Sequence, residues 1–75
     1  MPGNDAIELE AEVTGLLPAG RLRVRLTNGH QLTARVLRRS QAQIGSLAVG
    51  DRLLVNVSPS DMSQGVVQKV LNRIT

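Results

Sequence analysis

From Ile7 the chain alternates with a period of two. Ile7, Leu9, Ala11 and Val13 are apolar, and Glu8, Glu10, Glu12 and Thr14 between them are polar. A helical period would spread these residues over all sides, whereas a strand sends them to opposite faces, so the pattern predicts a half-buried strand. It recurs with Leu22, Val24 and Leu26 against Arg21, Arg23 and Arg25, and with Leu32, Ala34 and Val36 against Gln31, Thr33 and Arg35. A fourth strand sets Leu53, Val55 and Val57 against Arg52, Asn56 and Ser58, with Leu54 as an apolar exception. A fifth is expected over residues 66–71, where Val66, Val67, Val70 and Leu71 occupy both parities and leave its inward face open.

Between these runs lie breakers. Leu16-Leu17-Pro18-Ala19-Gly20 interrupts the first alternation, because proline cannot donate to a ladder and glycine permits a turn. Ser58-Pro59-Ser60-Asp61 starts another turn, expected to close near Gly65. Parity decides the turn at Thr27-Asn28-Gly29. A two-residue loop would pair Arg25 with Leu32 and mix the faces, while a three-residue loop pairs Leu26 with His30 and Val24 with Leu32. A type I turn with Gly29 in a left-handed bulge is therefore expected. Residues 38–49 lose the period of two. Gln41, Ala42 and Gln43 favour a helix that Gly45 limits to a turn or two. Residues 1–5 and 72–75 read as loose tails, and the chain as one domain without internal repeats.

Five short strands cannot survive as a lone sheet with two raw edges, and closure into a barrel removes both. The expected fold is all-β: a five-stranded OB-type barrel with a short helical turn between strands three and four. An SH3-like barrel is the alternative, but it lacks an obvious place for that turn.

The composition narrows the chemistry. With no Phe, Tyr, Trp or Cys, the core must be aliphatic, and disulfides and cysteine zinc sites are excluded. No apolar run approaches the ~18–20 residues needed to span a bilayer. Met1-Pro2-Gly3-Asn4-Asp5 has neither the basic start nor the apolar stretch of a signal peptide, so a cytoplasmic protein without membrane contact is expected. Catalysis is poorly supplied. His30 has no second ligand at metal spacing, Ser58, Ser60 and Ser63 have no base to activate them, and Glu8, Glu10 and Glu12 form a row of carboxylates without a pocket. No enzyme, cofactor, metal or small-molecule substrate is expected.

Charge points elsewhere. Residues 1–20 hold Asp5, Glu8, Glu10 and Glu12 and no cation, while residues 21–75 hold all nine basic residues against Asp51 and Asp61, for a net +3 overall. Eight of the nine are Arg, whose planar donor fork matches phosphate oxygens, so a polyanion such as nucleic acid is the expected partner. The Arg21, Arg23, Arg25 stripe can be neutralised by the first strand: a pairing sum near 35 puts Glu12 opposite Arg23 and Glu10 opposite Arg25. Arg35, Arg38, Arg39, Arg52, Lys69 and Arg73 have no acidic strand beside them in sequence and are the better phosphate contacts. Without aromatic rings to stack bases, sequence-specific single-strand binding is disfavoured, and docking on folded, phosphate-rich RNA fits better.

A set of short motifs completes the picture: Asp5-Ala6-Ile7-Glu8, Leu17-Pro18, Arg23-Val24, Asn28-Gly29-His30, Thr33-Ala34, Gly50-Asp51, and Val57-Ser58-Pro59-Ser60-Asp61-Met62-Ser63-Gln64-Gly65. In order and spacing, from about residue 5 to 68, these resemble bacterial translation initiation factor one. The resemblance implies an OB barrel that binds ribosomal RNA of the small ribosomal subunit. It implies a place in the aminoacyl-tRNA (A) site near the decoding region, a partnership with initiation factors two and three, and no catalytic activity or cofactor. A monomer is expected. Arg23 and His30 carry over, Arg52 matches a Lys, Gln64 stands for a Lys and Arg35 for a His. The basic loop of the family is altered: residues 37–47 read LRRSQAQIGSL, with Arg39 at a basic position, Arg38 one place earlier, and Ile44 where the family has Tyr. A paralogue on the same scaffold that binds another structured RNA as a chaperone or regulator is the alternative, and a barrel that pairs with an acidic protein surface is a third reading.

Overall fold

A computed structural model describes residues 6–73; of the tails expected at 1–5 and 72–75, residues 1–5 and 74–75 lie outside the described residues, while Asn72 is the last residue of a strand and not part of a loose tail. Five strands, β1 (Ile7–Leu17), β2 (Arg21–Leu26), β3 (Gln31–Arg35), β4 (Arg52–Ser58) and β5 (Asp61–Asn72), close into a barrel in the order β1-β2-β3-β5-β4. All neighbours are antiparallel except β3 and β5, which meet in parallel. Between β3 and β4 lie a 3-10 turn, Arg38–Ser40, and a one-turn helix, α1 (Gln41–Ile44). Gly45 ends α1 at φ 72°, its N–H bonding the Gln41 carbonyl at 2.8 Å. No helix among the described residues is long and apolar enough to cross a membrane.

The β2–β3 hairpin follows parity. Val24 pairs with Leu32, the Leu26 N–H bonds the His30 carbonyl at 2.8 Å, and Gly29, at φ 91°, donates to the Leu26 carbonyl at 2.9 Å. Elsewhere, registers shift. The first strand continues through Leu17, leaving only Pro18, Ala19 and Gly20 as the turn, with Ala19 and Gly20 both left-handed. In β1–β2, Glu12 faces Arg25, not Arg23 as expected. Thr14 is the extra residue of a bulge between Val13 and Gly15, and its hydroxyl donates to the Arg23 carbonyl at 3.2 Å. The turn expected to run to Gly65 closes at once after Pro59 and Ser60, and β5 begins at Asp61, which pairs with Ser58. Register shifts against β4 explain why β5 has no single parity: Val67 is buried, and Val70 is inward only after an extra residue has passed.

The core is aliphatic throughout. Ala11, Val13, Leu22, Val24, Leu26, Leu32, Ala34, Leu53, Val55, Val57 and Val67 line the inside, and α1 contributes Ile44. Burying a Val or Leu side chain stabilises by about 1.5–3 kcal/mol, so this set outweighs any surface ion pair. Ile7 has the inward parity but is 45% exposed, because it stands at the start of β1 on the barrel rim. Asp51, 3% exposed, ends the loop that leads into β4: its carboxylate accepts the Ala48 N–H at 2.9 Å. The adjoining backbone is locked to β1, with the Gly50 N–H on the Val13 carbonyl at 2.8 Å and the Val13 N–H on the Asp51 carbonyl at 2.9 Å.

Candidate nucleic-acid interface

The barrel carries its cations in two arrangements. Beside the glutamates of β1 they are paired: Arg25 meets Glu12 at 3.6 Å and Arg52 meets Glu10 at 3.7 Å. Arg52, expected to be free of acidic neighbours, therefore has one, because β4 pairs with β1 and sets Arg52 beside the row of glutamates. Pairing that distant in sequence leaves no local signal.

Across β2, β3 and β5 the register builds two outward rows, Arg23–Thr33–Gln64 and Arg21–Arg35–Val66. Between them runs the inward row Leu22–Ala34–Gly65. Gly65 is required for the seam to close, since a Cβ there would lie 3.1 Å from the Asn56 carbonyl oxygen and 3.1 Å from Leu32 Cδ1. Three adjoining recesses follow this surface. The first, of about 510 Å³, lies among Arg23, His30, Thr33 and Ser63. The next, of about 370 Å³, lies among Arg21, Thr33, Arg35, Ser63 and Gln64. A third, of about 390 Å³, is bordered by Arg35, Arg39, Asn56, Gln64 and Gln68. Shared residues (Thr33 and Ser63, then Arg35 and Gln64) join them into one groove.

Among the described residues no carboxylate is ion-paired with Arg21, Arg23, Arg35 or Arg39. Asp61 borders the first recess, and its carboxylate takes the Ser63 hydroxyl at 2.6 Å and the Ser63 N–H at 3.2 Å. These bonds, the hydroxyl first, hold its pKa below the ordinary 3.8. His30 Nε2 donates to the Met62 carbonyl at 2.9 Å and so ties the β2–β3 hairpin to β5.

The structure thus gathers five of the residues singled out from sequence, Arg23, His30, Arg35, Arg39 and Gln64, along one groove. Arg38 is exposed on the neighbouring 3-10 turn. Lys69 and Arg73 lie elsewhere, beside α1 and the end of β5. Arg73 is not in a loose tail: its guanidinium donates to the Ser46 carbonyl at 2.7 Å and to the Ile44 carbonyl, where it caps the end of α1. Ile44 itself is buried, so the side chain at that loop position serves the core. Arg21 was missed, although the hairpin register that pairs Val24 with Leu32 also sets Arg21 opposite Arg35.

Strand order, the helix between β3 and β4 and the parallel β3–β5 closure define an OB-type barrel. No protein-family model matches the chain. Among solved structures, translation initiation factor one from the Wolbachia endosymbiont of Brugia malayi is similar at 32% identity, over 95% of this chain and 80% of that one, with a TM-score of 0.67. YjeQ from Thermotoga maritima matches at 20% identity and a TM-score of 0.68, over 91% of this chain and 24% of its own length, which shows a shared fold. The chain belongs to the family of translation initiation factor one.

Proposed function

We propose that this barrel acts in translation initiation by docking on folded ribosomal RNA of the small subunit. Its place there is the aminoacyl-tRNA site near the decoding region, alongside initiation factors two and three. The observation that carries the reading is the basic groove over β2, β3 and β5, on a scaffold of the initiation factor one family. Arg23, Arg35 and Arg39 supply charge along it, and His30 and Gln64 supply hydrogen-bonding edges. Arg38 reaches from the adjoining turn. Arg52 and Arg73, already engaged within the chain, serve the RNA less than they serve the barrel, and Lys69, in the recess beside α1 and the end of β5, is a peripheral contact. Charge and contour are the main means of recognition, since the chain has no Phe, Tyr or Trp ring for base stacking.

Cosedimentation with purified small subunits over a salt series tests this. Saturable binding is expected, with log K falling steeply against log salt and protection of RNA at the decoding site. Protection elsewhere, or no binding at low salt, overturns it. Recovery from cells of a different structured RNA would replace the ribosome as the target while leaving the groove in its role.

A further inference from the structure

We infer that Arg21 and Arg35 form a single two-arginine seat for one backbone phosphate of the bound RNA, an inference that rests on the reading above. The two stand directly opposite each other on neighbouring strands, with both side chains exposed on the outer face. Like charges in direct cross-strand register repel, and nothing among the described residues relieves them. Three other cations of the barrel are engaged within the chain: Arg25 and Arg52 each have a glutamate, and Arg73 has two carbonyls. The repulsion at Arg21 and Arg35 is a cost in the free protein that an anion between them converts into attraction from both sides.

The surroundings suit a phosphodiester. The recess between the two arginines is about 370 Å³ and is bordered by Thr33, Ser63 and Gln64, with no carboxylate in its lining. The Thr33 hydroxyl and the Gln64 amide make no side-chain hydrogen bond with another described residue, so their donors are available to phosphate oxygens. Two guanidinium forks offer paired N–H donors to the remaining oxygens. Arg23, one row away beside Thr33, is placed for the next phosphate along the strand.

Sharing gives the seat a signature. Salt dependence counts phosphates neutralised, at a slope of about 0.9 each on duplexes and about 0.7 on single strands. Replacing Arg21 and Arg35 together by Gln should therefore reduce the slope by about one unit, not two, and weaken small-subunit binding about tenfold or more. Arg25→Gln, on the paired side of the barrel, should leave both unchanged. A second arm needs no ribosome. Titration with inorganic pyrophosphate, followed through the arginine side-chain N–H resonances, should move Arg21 and Arg35 together along one saturation curve and leave Arg25 and Arg52 in place. Thermal melts should show R21Q no less stable than the parent.

A loss of two slope units, no loss of slope, or an Arg21 resonance unmoved by pyrophosphate would each overturn the shared seat. Pyrophosphate binding with unaltered subunit affinity in R21Q would likewise overturn it as a seat for RNA, leaving a site for free phosphate. Should the parent protein fail to bind subunits at all, the ribosomal reading falls, and the pyrophosphate arm still decides the seat.

Discussion

The β1–β4 side and the β2–β3–β5 side of the barrel are built from the same alternating pattern, yet they treat charge in opposite ways. On the first, Glu10 and Glu12 face Arg52 and Arg25, and the surface is close to neutral. On the second, Arg21, Arg23, Arg35 and Arg39 stand with no paired carboxylate among the described residues. Strand composition alone does not separate the two, since β2 carries Arg25 on one side of the divide and Arg21 and Arg23 on the other. Register separates them. Had β2 slid by two residues along β1, Glu12 would have met Arg23 and the groove would have lost a central charge.

The largest test of this contrast is removal of the uncompensated charge. Replacing Arg21, Arg23 and Arg35 together by Ala should weaken small-subunit binding by about 100-fold at moderate salt and flatten the salt slope by about two units. Cosedimentation measures both, and retention of the parent slope would show that the groove is not the contact surface. Next comes the seam itself. Gly65→Val should destabilise by about 2 kcal/mol, because the added atoms collide with Asn56 backbone and with Leu32 and Val57; urea unfolding reads the change, and an unchanged midpoint would mean the seam has slack. Arg73→Ala should cost about 1 kcal/mol and raise hydrogen exchange around residues 44–49, with the β2–β3–β5 rows of the groove unaffected.

Smaller effects belong to the neutral side. Glu10→Gln and Glu12→Gln should each change stability by no more than about 0.5 kcal/mol, since both pairs are around half exposed and screened by salt. Smallest of all is the titration of Asp61. Its lowered pKa means that the bonds from Ser63 stabilise fully above pH 3.8 and are lost as pH falls through the lower folded value. In Ser63→Ala the Asp61 carboxyl resonance should titrate closer to 3.8, and a curve identical to the parent would remove Ser63 as the cause.

Much of this architecture was legible in the residues. Parity named the buried faces of β2, β3 and β4, with Val36 only half-buried past the end of β3, and it chose the three-residue hairpin turn over the two-residue one. It failed where an extra residue enters a strand. The bulge at Thr14 and the shifts along β5 each break the link between sequence position and face, and neither has a local marker strong enough to see. The site was legible in kind and less so in membership. Arg23, Arg35 and Arg39 could be picked as cations, but the glutamate beside Arg52 lies on the first strand and the carbonyls under Arg73 lie 27 and 29 residues away. Arg21 was the avoidable omission, since its position follows from the same hairpin arithmetic that placed Val24.

The parallel contact of β3 with β5 joins residues 33–35 to residues 64–66, and every row of the groove crosses it. Such a contact closes a long loop and carries the corresponding entropy cost, so no fragment of the chain can offer this surface in advance. Stability and occupancy of this surface are thereby thermodynamically linked. A polyanion bound here favours the finished barrel over every open form, and the melting temperature of the protein becomes a gauge of how much of its ligand is present.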